Sequence, residues 1–260
     1  MSSRIWTAPA VASEAKRARL DLWRAVEAQH VSSTMALVDS VAEQHLLERL
    51  LEESKPPVPA PARKLHWLLF TPFRYPPPPG GSRFRSPGDA GVFYGADEIR
   101  TACAELGFWR WQHLLDTPAL SAMPTKPQTV FRAEIAASCI DLRRAPFVAE
   151  RNVWAWPDDY SGCQSFARTA REARIGAIRY ESVRDPEHAG CCAVLAPEAF
   201  ARHSPVEQQS WMLSVSREEV VWQRTGVLRQ IELAFPAKMW AGLPAPPASR
   251  RPSARRRRKR

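Results

Sequence analysis

No apolar run in this 260-residue sequence approaches the about 18 residues that a membrane-spanning helix requires; runs such as 68–70 and 193–196 are of strand or core length. A transmembrane protein is therefore not expected. The first twenty residues carry Arg4, Glu14, Lys16, Arg17 and Arg19 and lack an apolar stretch of signal-peptide type, so a cytoplasmic protein is expected. Cys103, Cys139, Cys163, Cys191 and Cys192 are odd in number and form no C-x-x-C pair, which excludes a disulfide framework and a zinc cluster. Reduced, buried thiols are expected. The six histidines show no H-x-x-x-H spacing, and no metal site can be argued from them. Also missing are G-x-G-x-x-G, a Walker loop and any internal repeat.

Lysine is scarce, at six of the 37 basic residues, and the positive charge is unevenly placed. Residues 250–260 hold seven arginines and Lys259 with no acid; subtracting these +8 from the formal +10 leaves +2 for the rest of the chain. A nearly neutral body does not imply a broad phosphate-binding face. The tail reads as a solvated, disordered extension that touches nucleic acid only weakly and in a salt-dependent way.

What is present alternates between two periodicities. Residues 1–19 lack either and read as a loose arm. Val38, Val41, Ala42, Leu46, Leu47, Leu50 and Leu51 recur at helical steps, predicting one long helix over about 33–54, capped by Ser33 and stopped by Pro56-Pro57. Residues 65–70 have strand length, and the proline knot at 76–79 followed by Gly80-Gly81 must be a loop. Residues 91–96 read as a strand, with Asp97 as N-cap of a helix running to about Leu115. A strand is expected at 129–136. Ser161 and Gln164 have the S-x-x-Q form of a capping box, opening a helix that ends near Gly176. Further strands are expected at 177–183, 191–196, 209–215, 219–223 and 227–235. The mixture predicts an α+β fold, with flanking helices packed on a mixed or antiparallel sheet.

The polar groups that converge best lie between Gly80 and Glu105. Arg83 and Arg85 sit on a glycine-containing turn, where backbone N–H groups and guanidinium forks together suit a phosphate or pyrophosphate. Tyr94 follows in a strand, and Glu105 lies at the edge of the Ala102–Leu106 stripe of the next helix, where its carboxylate can border a cleft. A surface loop, a core tyrosine and a solvated glutamate would explain the same residues.

Taken in order, five short motifs make the sequence resemble the RES domain family. They are 81–88 (GSRFRSPG), 92–96 (VFYGA), Glu105 in 102–105 (ACAE), 160–164 (YSGCQ) and 180–184 (YESVR). The resemblance spans roughly residues 65–219. It implies a compact fold similar to ADP-ribosyltransferases, with a catalytic domain over 63–244 between an N-terminal helical extension, 1–62, and the basic tail, 245–260. It implies an enzyme that takes NAD+ as substrate, without a prosthetic group or metal, and cleaves the nicotinamide–ribose bond, with inorganic phosphate as co-substrate. As toxins of toxin–antitoxin pairs, such proteins imply an Xre-type antitoxin as partner. By the same resemblance Arg83 holds the pyrophosphate or acceptor phosphate, Tyr94 packs on nicotinamide and its ribose, and Glu105 meets the ribose hydroxyls and the developing positive charge. Ser161 or Ser182 orients the substrate.

Several positions stay open at this level. Arg85 stands where the family often has asparagine, so either Arg83 or Arg85 can serve the phosphate. The upstream arginine of the site is Arg74 or Arg24, with Arg74 favoured because it lies nine residues before Arg83. Ser161 also has a purely structural use as a cap, and Ser182 can face outward from its strand. Trp109 and Trp111 read as packing residues. Two other functions fit: ADP-ribose transfer to a protein side chain, and nucleic-acid binding through the tail.

Overall fold

The computed structural model describes residues 6–28 and 38–243. Its axis is β3 (Ala122–Asp141), which both edges of the sheet share. Along one edge β1 (Lys16–Glu27) runs antiparallel in unbroken register, from Lys16 opposite Cys139 to Glu27 opposite Gln128. Two partners divide the other edge. β6 (Glu207–Ser216) pairs with the first half of β3 and leads to β7 (Glu219–Arg224) and β8 (Glu232–Pro236), all antiparallel. β4 (Ala177–Glu181) pairs in parallel with the last three residues of β3 and leads through β5 (Gly190–Val194) to β2 (Phe93–Ala96). A single pair, Trp23 with Ala96, returns β2 to β1. The two wings thus diverge from β3, and beside β1 the sheet is held across by that one contact.

Helices fill the space on either side. α4 (Ile99–Leu115) lays Cys103, Ala104, Phe108, Trp111 and Leu114 on a core with Val130 of β3 and Trp211, Val220 and Trp222 of the β6–β7 wing. α6 (Ser161–Glu172) buries Cys163, Phe166, Ala167 and Ala170 against Ile178 and Ala193 of the β4–β5 wing. α1 (Ala8–Ser13) contacts α6, and a short turn of helix, α5 (Arg151–Trp154), precedes it. The architecture is α+β, as the alternating periodicities imply. The five cysteines are free and buried, and no described helix is long and apolar enough to cross a membrane.

Some local expectations are overturned. The supposed loose arm contains α1, where the Thr7 hydroxyl accepts from the Ala10 N–H, and then β1; a stretch read as part of an outlying extension supplies a central strand. Lys16, Arg17, Arg19 and Asp21 hide the strand because its stability comes from the backbone ladder with β3, and only Leu22 and Ala25 are buried. The long helix is α2 (Val41–Ser54), and Ser40 caps it by accepting from the Glu43 N–H; Ser33 lies outside the described residues. Residues 65–70 contribute to a helix, α3 (Trp67–Arg74), which buries Leu68, Leu69 and Phe73. So short an apolar run carries no period that separates strand from helix. Asp97 caps nothing; its carboxylate instead accepts from Arg179 and Arg143.

Candidate active site

Where the wings part, a cavity of about 360 Å³ opens between β1, β2, α4 and the loop before β2. α4 faces it with Ala102, Glu105, Leu106 and Trp109, the i, i+3, i+4, i+7 stripe of one helix face. β1 contributes Trp23 and Arg24. Ser82, Arg83, Tyr94, Tyr160, Tyr180 and Arg184 complete most of the wall.

The loop over residues 80–86 is held from two sides. Gly81 adopts φ +74°, a left-handed conformation that favours glycine, and a Cβ there would collide with the Arg85 carbonyl oxygen. From below, the Tyr94 hydroxyl accepts from the Phe84 N–H at 2.9 Å and shares a hydrogen bond of 2.7 Å with the Ser82 hydroxyl. From α6, the Gln164 amide nitrogen donates to the carbonyls of Gly80 (3.2 Å), Ser82 (3.0 Å) and Arg85 (3.4 Å), while its oxygen accepts from the Ser86 hydroxyl. The expected capping box is therefore not formed, because Gln164 turns to the loop and the Ser161 N–H donates to Asp159. Burial pushes the Tyr94 phenol up to about 12, so it stays protonated.

This clamp places Arg83 in the wall. Its guanidinium lies 4.8 Å from the centre of the Tyr160 ring and donates to the carbonyls of Trp154 (2.8 Å) and Trp156 (2.9 Å). Arg24 reaches in from β1, donating to the Tyr94 carbonyl at 2.6 Å, which ties β1 to β2 beside their single ladder pair. Burial lowers its pKa to about 10, and its Nε–H is covered without an acceptor.

Across the cavity stands Glu105. Ser182, fully buried, donates to its Oε1 at 2.5 Å, and the Ser182 oxygen accepts from the backbone N–H groups of Arg184 (3.2 Å) and Asp185 (2.9 Å). Those two N–H bonds fix the hydroxyl rotor, so the proton has one direction left, toward the carboxylate. The turn is anchored in its own right. Asp185 accepts from Thr101 and Arg100 of α4, and the Trp240 indole donates to the Arg184 carbonyl at 2.7 Å. The Arg184 guanidinium lies 4.2 Å from the centre of the Phe108 ring and donates to the Pro157 carbonyl.

The structure thus brings Arg83, Tyr94, Glu105 and Ser182 to one site. Three residues expected there are elsewhere. Arg74 points away from the cavity to the Pro56 carbonyl and Glu52, because α3 is a helix that turns its last residue toward α2; Arg24 occupies the wall instead. Arg85 is committed to its own surroundings, donating to the carbonyls of Tyr75 and Asp89. Ser161 is exposed at the first turn of α6. Tyr160, Tyr180, Arg184, Trp109 and Gln164 were not singled out as site residues. Tyr180 and Arg184 flank Ser182 in a quoted motif, but only the fold turns them inward. Among the described residues no group of three or more His, Cys, Asp or Glu side chains is placed to hold a metal.

Comparison with known proteins gives a family and distant likeness to solved structures. The family model described as the RES domain matches residues 58–216. No functionally curated protein matches the chain. Among solved structures, a chain in the crystal structure of the M. tuberculosis MbcT–MbcA toxin–antitoxin complex is similar at 13% identity and a TM-score of 0.44, over 87% of this chain and 91% of that one.

Proposed function

The chain belongs to the RES domain family, and from that premise we propose that it consumes NAD+ by cleaving the nicotinamide–ribose bond, with inorganic phosphate as the acceptor. The observation that carries this reading is the Glu105 carboxylate, held by Ser182 at 2.5 Å in a cavity that Arg24, Arg83 and Arg184 also line.

The chemistry asks for little proton transfer. Nicotinamide departs with the bonding electron pair as a neutral molecule, leaving positive charge on the ribose ring and C1′. A carboxylate in a water-poor pocket stabilises that charge, and a fixed carboxylate does so without reorganisation in the transition state. Ser182 is a positioning residue: its hydrogen bond sets the direction of the carboxylate. The guanidinium groups suit the pyrophosphate and the acceptor through charge-assisted hydrogen bonds. An unprotonated oxygen of the phosphate dianion forms the new bond to C1′, giving ADP-ribose 1-phosphate and needing no general base.

In the same reading the protein is the toxin of a pair, and a separately encoded Xre-type antitoxin restrains it by covering the cavity. The test is a time course of NAD+ with the partner-free protein, with and without phosphate, resolving products by mass. Phosphate-dependent loss yielding phosphorylated ADP-ribose is expected, with Glu105→Gln slower by about 10²-fold or more and Ser182→Ala reduced in kcat. Nicotinamide release indifferent to phosphate would move the reading to hydrolysis or to ADP-ribosylation of a protein, which a label on the adenylate would locate. Intact NAD+ under all conditions would overturn it.

A further inference from the structure

Trp109 is out of place for a packing residue. Its neighbour in sequence, Trp111, is 6% exposed and part of the α4 core, whereas Trp109 is 37% exposed and belongs to no core cluster. Its ring contact is a T-shaped one with Phe108, 5.9 Å between centroids, and its indole makes no hydrogen bond within the described residues. A large apolar ring is thus left partly exposed, and it lines the same cavity as Glu105 and the arginines. Trp109 lies four residues beyond Glu105 on the same helix face, about 6 Å along the axis. Leu106 and Ala25 are among the apolar residues that line the same cavity.

We propose that Trp109 is the stacking platform for the purine base of the dinucleotide. This deepens the NAD+ reading and rests on it for the identity of the substrate. A planar base gains from a rigid indole face without any hydrogen-bond code, and it is the one part of a dinucleotide that neither a carboxylate nor a guanidinium group is suited to hold by charge. The cavity then matches the ligand in three chemistries: carboxylate for the ribose, guanidinium for the phosphates, indole for the base. The competing occupant of the same face is the nicotinamide ring, and the two make opposite predictions for half-substrates.

The experiment measures, by calorimetry on the full chain, the affinities of adenosine monophosphate and nicotinamide mononucleotide for the wild type, Trp109→Ala and Trp109→Phe. Trp109→Ala weakens adenosine monophosphate about tenfold and leaves nicotinamide mononucleotide within about twofold, while Trp109→Phe keeps most of the affinity. In turnover, KM for NAD+ rises about tenfold with kcat nearly unchanged, the pattern of lost uniform binding. Equal weakening of both halves, weakening of the nicotinamide half alone, no effect, or no wild-type affinity for adenosine monophosphate would each overturn the proposal. A Trp109-dependent adenylate affinity in a protein that leaves NAD+ intact would support the base site while refuting the NAD+-cleavage reading.

Discussion

At the scale of single residues, the site is built from polar groups whose bonds are nearly all committed. Ser182 has its oxygen occupied by two backbone N–H groups and its proton by Glu105. Tyr94 is similar: one hydroxyl fastens both Ser82 and the Phe84 N–H. Its pKa is raised from 10.0 to about 12 by burial, against which the Ser82 hydrogen bond pulls only partly. The native state therefore keeps a proton that the unfolded chain releases between pH 10 and about 12, and the stability contributed by the neutral phenol falls as pH rises through that window. Replacing Tyr94 by Phe should flatten this part of the fall in urea-unfolding free energy between pH 10 and about 12, while raising KM for NAD+ through the loosened loop. A pH profile identical to the wild type would show that the phenol is not buried as described.

At the scale of elements, α6 and the 80–86 loop form a unit. The helix buries its apolar side on the β4–β5 wing, and Gln164 spends its amide on loop carbonyls. Removing that amide leaves the carbonyls of Gly80 and Ser82 without this donor, and the loop gains freedom precisely where Ser82 and Arg83 enter the cavity. Gln164→Ala should raise KM for NAD+ several-fold, about 1 kcal/mol for a lost hydrogen bond of this kind, with little change in kcat because Glu105 and Ser182 stand on other elements. Steady-state kinetics beside a thermal melt check this, and an equal fall in kcat would place Gln164 closer to the chemistry. Such coupling was not legible beforehand. S-x-x-Q at the start of a helix is a sound capping signal, yet side-chain amides bond wherever carbonyls are nearest, and the nearest ones here are about 80 residues away in sequence.

At the scale of the whole molecule, the RES-domain match ends at residue 216, while the structure continues through β7, β8 and Trp240. Val220, Trp222, Phe235 and Trp240 are buried against α4, and Trp240 hydrogen-bonds the turn that carries Ser182, so the C-terminal wing supports the site from behind. The cysteines report on the integrity of both wings. Cys103 lies in the core under α4, and Cys163, Cys191 and Cys192 lie in the clusters of the other wing; burial raises all four thiols, and Cys139 is pushed up to about 11. The thiolate is the reactive form. Native protein at pH 8 should therefore resist iodoacetamide, and all five cysteines should label in urea, read by mass. Rapid native labelling of any one would mean that its wing opens.

Composition and short-range pattern alone determined the fold class, the free buried thiols, the length of α4 and most strands of the second half. All of these follow from periodicity or residue chemistry within a few positions. Resemblance to the RES domain family, carried by short motifs that stand in order along the chain, likewise brought Arg83, Tyr94, Glu105 and Ser182 forward. Only the tertiary structure decided that the charged N-terminal stretch is β1, because pairing with β3 is a backbone property that its side chains do not announce. The same holds for the choice between Arg24 and Arg74. Both arginines are plausible in one dimension, and the deciding fact is that β1 runs along the open seam of the sheet while α3 turns its last residue out toward α2.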